Sequence, residues 1–182
     1  MTRAAAAAMR GAMQRIAIVG CSGGGKSTLA RELGARLGLP VVHMDTLFWK
    51  PGWTESDREE FVARVDAAAA AERWVMEGGF ITHSTARFAR ADTVIWIELP
   101  RWLCLWRAFA RMLVNFGRSR ADLAPGCPER FDLPFYRYIW DYNRKTYPRM
   151  ARALAEHAPN AQLIRLTSDR QKTLFLAGLE PS

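Results

Sequence analysis

Residues 20–27 read Gly-Cys-Ser-Gly-Gly-Gly-Lys-Ser and have the spacing of a phosphate-binding loop. Such a loop curls backbone N–H groups around a phosphate, and glycines permit this because no Cβ stands in the way. The opening turn of a following helix adds its positive dipole end. The nucleotide contacts predicted from this motif are Gly20, Ser22, Gly23, Gly24, Gly25, Lys26, Ser27 and Thr28.

Two side chains of this loop can act on the phosphates directly. Lys26 can reach the β- and γ-phosphates of a nucleoside triphosphate, and the Ser27 hydroxyl can bind Mg²⁺. We therefore predict ATP and Mg²⁺ as ligands. The alternative is a flexible glycine turn with a solvated lysine. An apolar strand before the loop and a leucine-patterned helix after it favour the nucleotide site.

Two carboxylates come directly after predicted strands. Asp45 follows the second strand and Glu77 ends the third. In parallel sheets ligands collect at the carboxyl ends of the strands, so either side chain can orient an acceptor hydroxyl or hold metal-bound water. We predict that Asp45 positions the acceptor as a catalytic group and that Glu77 holds Mg²⁺ through water. Which of the two lies nearer the metal stays open, and a helix cap or loop role is the alternative for each.

Arginines are concentrated after the fourth strand. Arg107 and Arg111 lie four residues apart and share a helix face, so we predict that both bind the nucleotide and neutralise the transferred phosphoryl group. Arg118 and Arg120 open a segment with prolines and a glycine, residues 118–133, which we interpret as a lid. The alternative is a set of solvated surface arginines.

The acceptor pocket is predicted from fewer signals. The stretch 48–53 contains three aromatic side chains, and it fits a core plug and a substrate wall equally well. Arg58 and Arg87 are candidate contacts for an anionic group. The predicted acceptor-binding residues are Asp45, Trp49, Arg58, Glu77, Gly78 and Arg87.

Five short apolar runs alternate with helical patterns along the chain. The predicted strands are residues 15–19, 41–43, 74–76, 93–97 and 162–166, and the predicted helices are 28–37, 55–72, 102–116, 135–157 and a short one opening at Ser168. Pro148 must kink or split the helix over 135–157. This alternation predicts βαβ units, hence an α/β fold with a five-stranded parallel sheet and helices on both faces.

Composition limits the remaining choices. The 182 residues suit one domain, which we assign to residues 15–182, and the alanine-rich residues 1–14 are interpreted as a disordered extension. Three cysteines without a C-x-x-C pair argue against a disulfide framework and for a cytoplasmic location. No apolar run approaches the length of a membrane span, so no membrane partner is expected.

The net charge of +8 is unevenly placed. Residues 101–152 contain eleven Lys and Arg against four Asp and Glu. Such a basic segment can serve a polyphosphate or a nucleic acid. Its aromatic residues sit mostly at helical spacing suited to core packing, so a nucleic acid is the less favoured partner. A monomer and a homodimer fit the sequence equally.

Residues 15–177 resemble the nucleoside-monophosphate-kinase-like branch of P-loop proteins, which includes adenylate kinase. The phosphate-binding loop, the segment Trp74-Val-Met-Glu-Gly-Gly-Phe80, and a proline followed at plus seven and plus eleven by Arg107 and Arg111 carry this resemblance. It implies the strand order 2-3-1-4-5, Glu77 near Mg²⁺, and arginines at the base of a lid. The position of Asp45 resembles the acceptor-side aspartate of shikimate kinase.

Longer segments, residues 43–53, 99–107 and 126–132, are similar to bacterial DNA-topology-modulation (FlaR-type) proteins. The chain lacks the AMP-binding pattern and the four-cysteine zinc lid of adenylate kinases. We therefore predict a kinase that transfers the γ-phosphoryl group of ATP to an unidentified small-molecule acceptor. The alternatives are an ATP-dependent, nucleic-acid-associated protein, as the family name suggests, and a bare ATPase.

Overall fold

The strands occur where the apolar runs predict them. A computed structural model describes residues 13–81, 85–120 and 122–179. Its strands are β1 (Arg15–Gly20), β2 (Val41–His43), β3 (Trp49–Lys50), β4 (Thr54–Glu55), β5 (Trp74–Glu77), β6 (Thr93–Ile97) and β7 (Gln162–Leu166). Five of them form one parallel sheet in the order β2-β5-β1-β6-β7. Counted along the chain as predicted, this order is 2-3-1-4-5, so the fold prediction is confirmed.

The helices provide the crossover connections that a parallel sheet requires. They are α1 (Lys26–Leu37), α2 (Met44–Phe48), α3 (Arg58–Ala69), α4 (Thr85–Arg90), α5 (Arg101–Asn115), α6 (Leu133–Lys145), α7 (Tyr147–His157) and α8 (Asp169–Ala177). β3 and β4 form a separate antiparallel hairpin outside the main sheet.

Both faces of the sheet are covered, because side chains alternate between the two faces of a strand. On β1, Ile16 and Ile18 pack against a cluster that includes Leu29 and Leu33 of α1. The alternate residues of β1 belong to a second cluster on the other face, with α7 and α4 contributing to it. The central strand is therefore buried on both faces, and the carboxyl end of the sheet is left to form a site.

Several predicted boundaries shift. The helix predicted over 55–72 begins at Arg58, because the Asp57 carboxylate caps it by accepting a hydrogen bond from the Glu59 N–H at 2.8 Å. Pro148 splits the predicted helix over 135–157 into α6 and α7 and stands in the first turn of α7, where its missing N–H costs nothing. The helices α2 and α4 and the β3–β4 hairpin were not predicted.

The folded domain begins earlier than predicted. Residues 1–12 of the predicted disordered extension lie outside the described residues. Met13 is fully buried in the core, and the Gln14 N–H donates to the Asp92 carboxylate at 3.1 Å. The boundary at residue 15 is therefore corrected to include these two residues.

Three tryptophans are not core residues, contrary to their predicted packing. Trp102, Trp106 and Trp140 are 64%, 62% and 47% exposed, whereas Tyr142 is buried as its spacing predicts. Helical spacing identifies residues that share a face but not whether another element covers that face. Across the described residues, none of the helices combines the length and apolar character needed to cross a bilayer.

Candidate active site

The phosphate-binding loop joins β1 to α1 and takes the conformation that its glycines allow. Gly23 and Gly25 have φ angles of +82° and +88°, in the left-handed region that disfavours other residues. A Cβ on Gly23 would stand 2.1 Å from the Cys104 carbonyl oxygen of α5. The loop is therefore packed against the backbone of the helix that carries Arg107 and Arg111.

The lysines around the loop lie against its carbonyl groups. Lys26 Nζ donates to the Cys21 carbonyl oxygen at 3.2 Å. Lys172 of α8 reaches the loop from far along the chain, and its Nζ donates to the Gly24 carbonyl oxygen at 3.0 Å. Lys172 also pairs with Asp169 at 2.6 Å. The loop is thus lined by two ammonium groups, of which sequence reasoning found only Lys26.

Ser27 and Glu77 meet at the carboxyl ends of β1 and β5. The Ser27 hydroxyl donates to Glu77 Oε1 at 2.9 Å, and His43 Nδ1 lies 2.8 Å from the same oxygen. His43 and Glu77 are register partners on β2 and β5, so the sheet itself places them side by side. Burial alone would raise the pKa of Glu77, but the His43 and Ser27 hydrogen bonds and the Lys26 charge outweigh it and lower that pKa.

The oxygen atoms of Ser27 and Glu77 are of the kind that binds Mg²⁺. Mg²⁺ prefers oxygen ligands and takes one or two from the protein, with waters and substrate phosphates completing its shell. The Ser27 hydroxyl and the Glu77 carboxylate provide such oxygens at one point. Among the described residues there is no group of three acidic, histidine or cysteine side chains that would hold a metal without phosphate.

Asp45 is the second residue of α2, which follows β2 directly, and lies half-buried on the cavity wall. Burial and the neighbouring Glu77 charge raise its pKa from 3.8 to about 6, against the opposing charges of Lys26 and Arg120. A carboxylate with such a pKa can accept a proton near neutral pH. This property suits the acceptor-side role predicted for Asp45.

The arginines of the predicted lid base are held by carboxylates from other elements. Arg107 forms two hydrogen bonds to Asp169 of α8, at 3.1 and 2.6 Å. Arg111 donates to Glu129 at 3.1 Å. These partners orient the guanidinium groups along the cavity wall, where both line the same space as Lys26.

A second network lies in the predicted lid segment. Arg120 Nε stands 2.7 Å from Glu129 Oε1, and Arg120 Nη1 donates to Asp122 at 2.9 Å. Glu129 and Asp122 are 7% and 8% exposed, so both carboxylates are buried with their cations. Glu129 thereby links Arg111 of α5 to Arg120 of the lid segment.

The lid segment is also docked on the β3–β4 hairpin. The Gly52 N–H donates to the Gly126 carbonyl at 2.8 Å, and Trp53 Nε1 donates to the Pro128 carbonyl at 2.8 Å. Trp49 and Trp53 pack against the buried residues Leu123, Ala124 and Cys127. We call the described residues 118–120 and 122–130 the strap, since several of them line the cavity between α5 and the hairpin.

The aromatic stretch 48–53 has both of the roles that its sequence left open. Phe48 packs with Phe61 and Phe80 in a small core cluster, with ring centroids 5.1 and 4.8 Å away. Trp49 and Trp53 line the cavity, with ring centroids 5.3 Å apart at a steep angle. Phe48 therefore belongs to the core, whereas Trp49 and Trp53 form part of the cavity wall.

One cavity of about 1180 Å³ joins these features. It is large enough for a nucleotide and a second small molecule. The predicted site residues on its wall are Ser22, Gly23, Gly25, Lys26, Ser27, Thr28, Asp45, Trp49, Glu77, Gly78, Arg107, Arg111 and Arg120. Gly20 and Gly24 support the loop from behind, since a Cβ on either would approach Ile97 or the Cys21 carbonyl.

Arg58 and Arg87, which were predicted as acceptor contacts, and Arg118, which was predicted as a lid residue, do not line this cavity. Arg58 is exposed at the start of α3 and borders a separate surface depression with Asp66 and His157. Arg87 is fully buried and donates to the Gly78 and Phe80 carbonyls at 3.0 and 2.8 Å, so it supports that loop from beneath. Burial lowers its pKa to about 10. Arg118 is exposed on the outer side of the strap.

Sequence reasoning missed other cavity residues because they are distant in the chain. Asp122 and Glu129 of the strap, and Phe80 and Tyr138, line the cavity together with the predicted set. Tyr138 stands on α6, and its hydroxyl would lie 3.4 Å from a Cβ on Gly79. Only Glu129 had a usable signal, as an acidic residue within the arginine-rich segment.

Comparison with known proteins supports the fold. No protein-family model matches the chain, and a comparison with curated proteins finds no significant relative. Among solved structures, the shikimate kinase from Acinetobacter baumannii, in complex with shikimate, has a TM-score of 0.62 and 16% identity, over 94% of this chain and 93% of its own. The shikimate kinase from Bacteroides thetaiotaomicron has a TM-score of 0.53 and 17% identity, over 92% and 96%. The chain therefore has the P-loop fold of these kinases.

Proposed function

We propose that this protein is a kinase that transfers the γ-phosphoryl group of ATP to a small-molecule acceptor. The observation that carries the proposal is the contact between Ser27 of the phosphate-binding loop and Glu77, in a cavity that Asp45 also lines. One cavity thus contains a loop that can bind phosphate, two oxygen groups that suit Mg²⁺, and a carboxylate that can accept a proton. The likeness of fold to shikimate kinases supports this reading.

Each residue has a role that phosphoryl transfer requires. The loop N–H groups and Lys26 bind the phosphates of ATP, and Arg107 and Arg111 neutralise the charge that spreads over the transferred group. Asp45 orients the acceptor hydroxyl and takes its proton. Ser27 would hold Mg²⁺ directly and Glu77 through water, and the metal would supply charge neutralisation at the phosphates.

The strap supplies the second requirement of a kinase, which is exclusion of water. Water in the site would accept the phosphoryl group in place of the acceptor. Glu129 ties the strap to α5 through Arg111, and Trp53 ties it to the hairpin through the Pro128 carbonyl. We infer that this closed arrangement is retained when both substrates are bound, and that ATP hydrolysis without acceptor is slow.

Two other functions remain as alternatives. The resemblance to DNA-topology-modulation proteins and the exposed Trp102 and Trp106 favour a nucleic-acid-associated ATPase. Arg107 and Arg111 argue against it, because they line the nucleotide cavity instead of the exposed face of α5. A bare ATPase would hydrolyse ATP alone. The free thiols and their burial agree with the cytoplasmic location we propose.

An ATP-consumption screen over a metabolite library, with and without DNA, tests the proposal. We expect turnover with one class of acceptor and little without any. Lys26→Ala removes a charge-assisted phosphate contact worth about 2–4 kcal/mol in the transition state, so turnover falls by about 30-fold or more. Lys145→Ala is the control, since Lys145 is the exposed last residue of α6, outside the cavity lining, and pairs with Asp141. The kinase proposal is contradicted if DNA alone stimulates ATP turnover, or if Lys26→Ala leaves turnover unchanged.

A further inference from the structure

Aromatic side chains form the acceptor side of the cavity. Trp49 and Trp53 line it from the hairpin, Phe80 from the loop after β5, and Tyr138 from α6. Asp45, the predicted proton acceptor, lines the same cavity as these four aromatic side chains. Flat aromatic faces bind ligands that present a flat ring, because stacking buries apolar area in a defined orientation.

The reacting end of this space is acidic. Asp45, Glu77 and Asp122 all line it, and the charges of Glu77 and Asp122 both raise the pKa of Asp45. Arg120 and Lys26 offset part of this charge. An acceptor that carries a carboxylate or phosphate close to its reacting hydroxyl would add a further negative charge here, with an energetic cost that grows as water is excluded.

Three of the five arginines that line the cavity are already paired with carboxylates. Arg111 and Arg120 contact Glu129, and Arg107 contacts Asp169. Within the described part of the chain, Arg31 and Arg130 are the cavity arginines without a carboxylate at ion-pair distance. Arg31 lies one turn beyond Ser27 on α1, on the nucleotide side, and Arg130 has its guanidinium 5.7 Å from the Trp53 ring centroid.

The residues predicted as anion contacts do not supply the missing cation. Arg58 faces the surface away from the cavity, and Arg87 is buried beneath the Gly78 and Phe80 carbonyls. A neighbouring kinase fold was solved with shikimate, a hydroxylated carboxylic acid. In this chain the acceptor side of the cavity offers aromatic faces and carboxylates, and the one arginine there without a carboxylate partner among the described residues, Arg130, lies over the Trp53 ring.

We propose that the acceptor is an uncharged alcohol that carries a flat aromatic ring, as nucleosides do, and that the ring lies against Trp49 and Trp53 with its hydroxyl at Asp45. The proposal rests on the kinase function proposed above and names its substrate class. In the transfer, a bond forms between the acceptor oxygen and the γ-phosphorus, and the bond from that phosphorus to the β,γ-bridging oxygen breaks. The hydroxyl proton passes to Asp45, and ADP leaves with the bridging oxygen.

Calorimetric binding tests the substrate class separately from turnover. The protein is first saturated with a non-hydrolysable ATP analogue and Mg²⁺, so that the nucleotide side is filled. Adenosine, thymidine and pyridoxine are then compared with AMP, TMP and shikimate. We expect at least one uncharged ring alcohol to bind ten-fold or more tightly than every anionic probe. Tighter binding of an anionic probe, or binding of none of the ring alcohols, overturns the proposal.

Three variants locate the binding. Trp49→Ala is expected to weaken binding of the ring alcohol about ten-fold, as loss of one ring-stacking contact does. Trp102→Ala removes an exposed tryptophan of α5 outside the cavity and is expected to change nothing. Arg130→Gln is expected to change affinity less than three-fold. A ten-fold loss in Arg130→Gln would show an anion contact and overturn the uncharged class.

Turnover then distinguishes the two proposals. Release of ADP with the bound ring alcohol supports both. If the ring alcohol binds but no ADP is released, the substrate-class inference stands as a binding statement and the kinase function fails. If shikimate or a nucleoside monophosphate is phosphorylated while ring alcohols are not, the kinase stands and the inference of an uncharged aromatic acceptor is wrong.

Discussion

Replacing Gly23 by alanine tests how the phosphate-binding loop is packed against α5. Its new Cβ would lie 2.1 Å from the Cys104 carbonyl oxygen, where ordinary contacts are 3.4–4 Å. The obstacle is helix backbone, which cannot rotate away as a side chain can. Gly38 offers a matched control, because it also has a positive φ, +63°, but nothing lies within 4 Å of its Cβ position.

The two variants separate backbone strain from steric overlap. Alanine in the left-handed region costs about 1–2 kcal/mol, partly offset by lower entropy of the unfolded chain, so Gly38→Ala should lose about 1 kcal/mol. Gly23→Ala adds overpacking of about 1–3 kcal/mol, for a total of about 2–4 kcal/mol. At about 2–4 °C per kcal/mol for a chain of this size, the melting temperature should fall by about 3 °C and about 10 °C respectively.

Thermal and urea unfolding of both variants provide the measurement. A shift in the urea midpoint without a change in slope would confirm that only stability has changed. ATP binding by Gly23→Ala at low temperature, where it stays folded, should also be weakened, because the loop must move away from α5. Equal stability losses in the two variants would refute the packing of the loop that this reasoning uses.

Three other predictions concern the cavity side chains. Arg107→Ala and Arg111→Ala should each lower kcat/KM at least 100-fold. Lysine at either position should restore only part of the activity, because it lacks the planar guanidinium. Arg118→Ala is the exposed control, and equal effects in all three variants would contradict the roles assigned to Arg107 and Arg111. Because the folded-state pKa of Asp45 is raised from 3.8 to about 6, its ionisation removes stability as pH rises from about 4 to about 6. Asp45→Asn should therefore be more stable than the wild type above pH 6, by up to about 3 kcal/mol before the partial exposure of Asp45 is discounted, and equally stable below pH 4. Urea unfolding at a series of pH values measures this difference. The kcat/KM of the wild type should rise as the pH passes about 6. Glu129→Gln should loosen the strap, because Arg111 and Arg120 lose their shared carboxylate at a cost of about 2–4 kcal/mol. We expect faster tryptic cleavage within the strap and faster ATP hydrolysis without acceptor. Unchanged rates of both would contradict this role of Glu129.

Features encoded locally in the sequence were predicted correctly. The phosphate-binding loop depends on glycine spacing within eight residues. β6 appears at its predicted bounds because an apolar run rich in β-branched residues specifies a buried strand. The Ser168 cap of α8 is likewise local, and its hydroxyl accepts from the Gln171 N–H at 3.2 Å. The sheet order came from resemblance to known kinases, since pairing between strands leaves little trace in a single sequence.

Contacts between distant segments were decided only by the tertiary structure. Lys172 reaches the phosphate-binding loop from 148 residues away, and Asp169 holds Arg107 from 62 residues away. Nothing in the sequence of α8 marks either residue for this site. Arg58 and Arg87 are chemically equivalent to Arg107 in the sequence, yet the packing of their helices turns one to the surface and buries the other. Residue type determines which chemistry a side chain can perform, whereas its direction depends on how the elements pack, and packing sums many weak contacts spread over the whole chain.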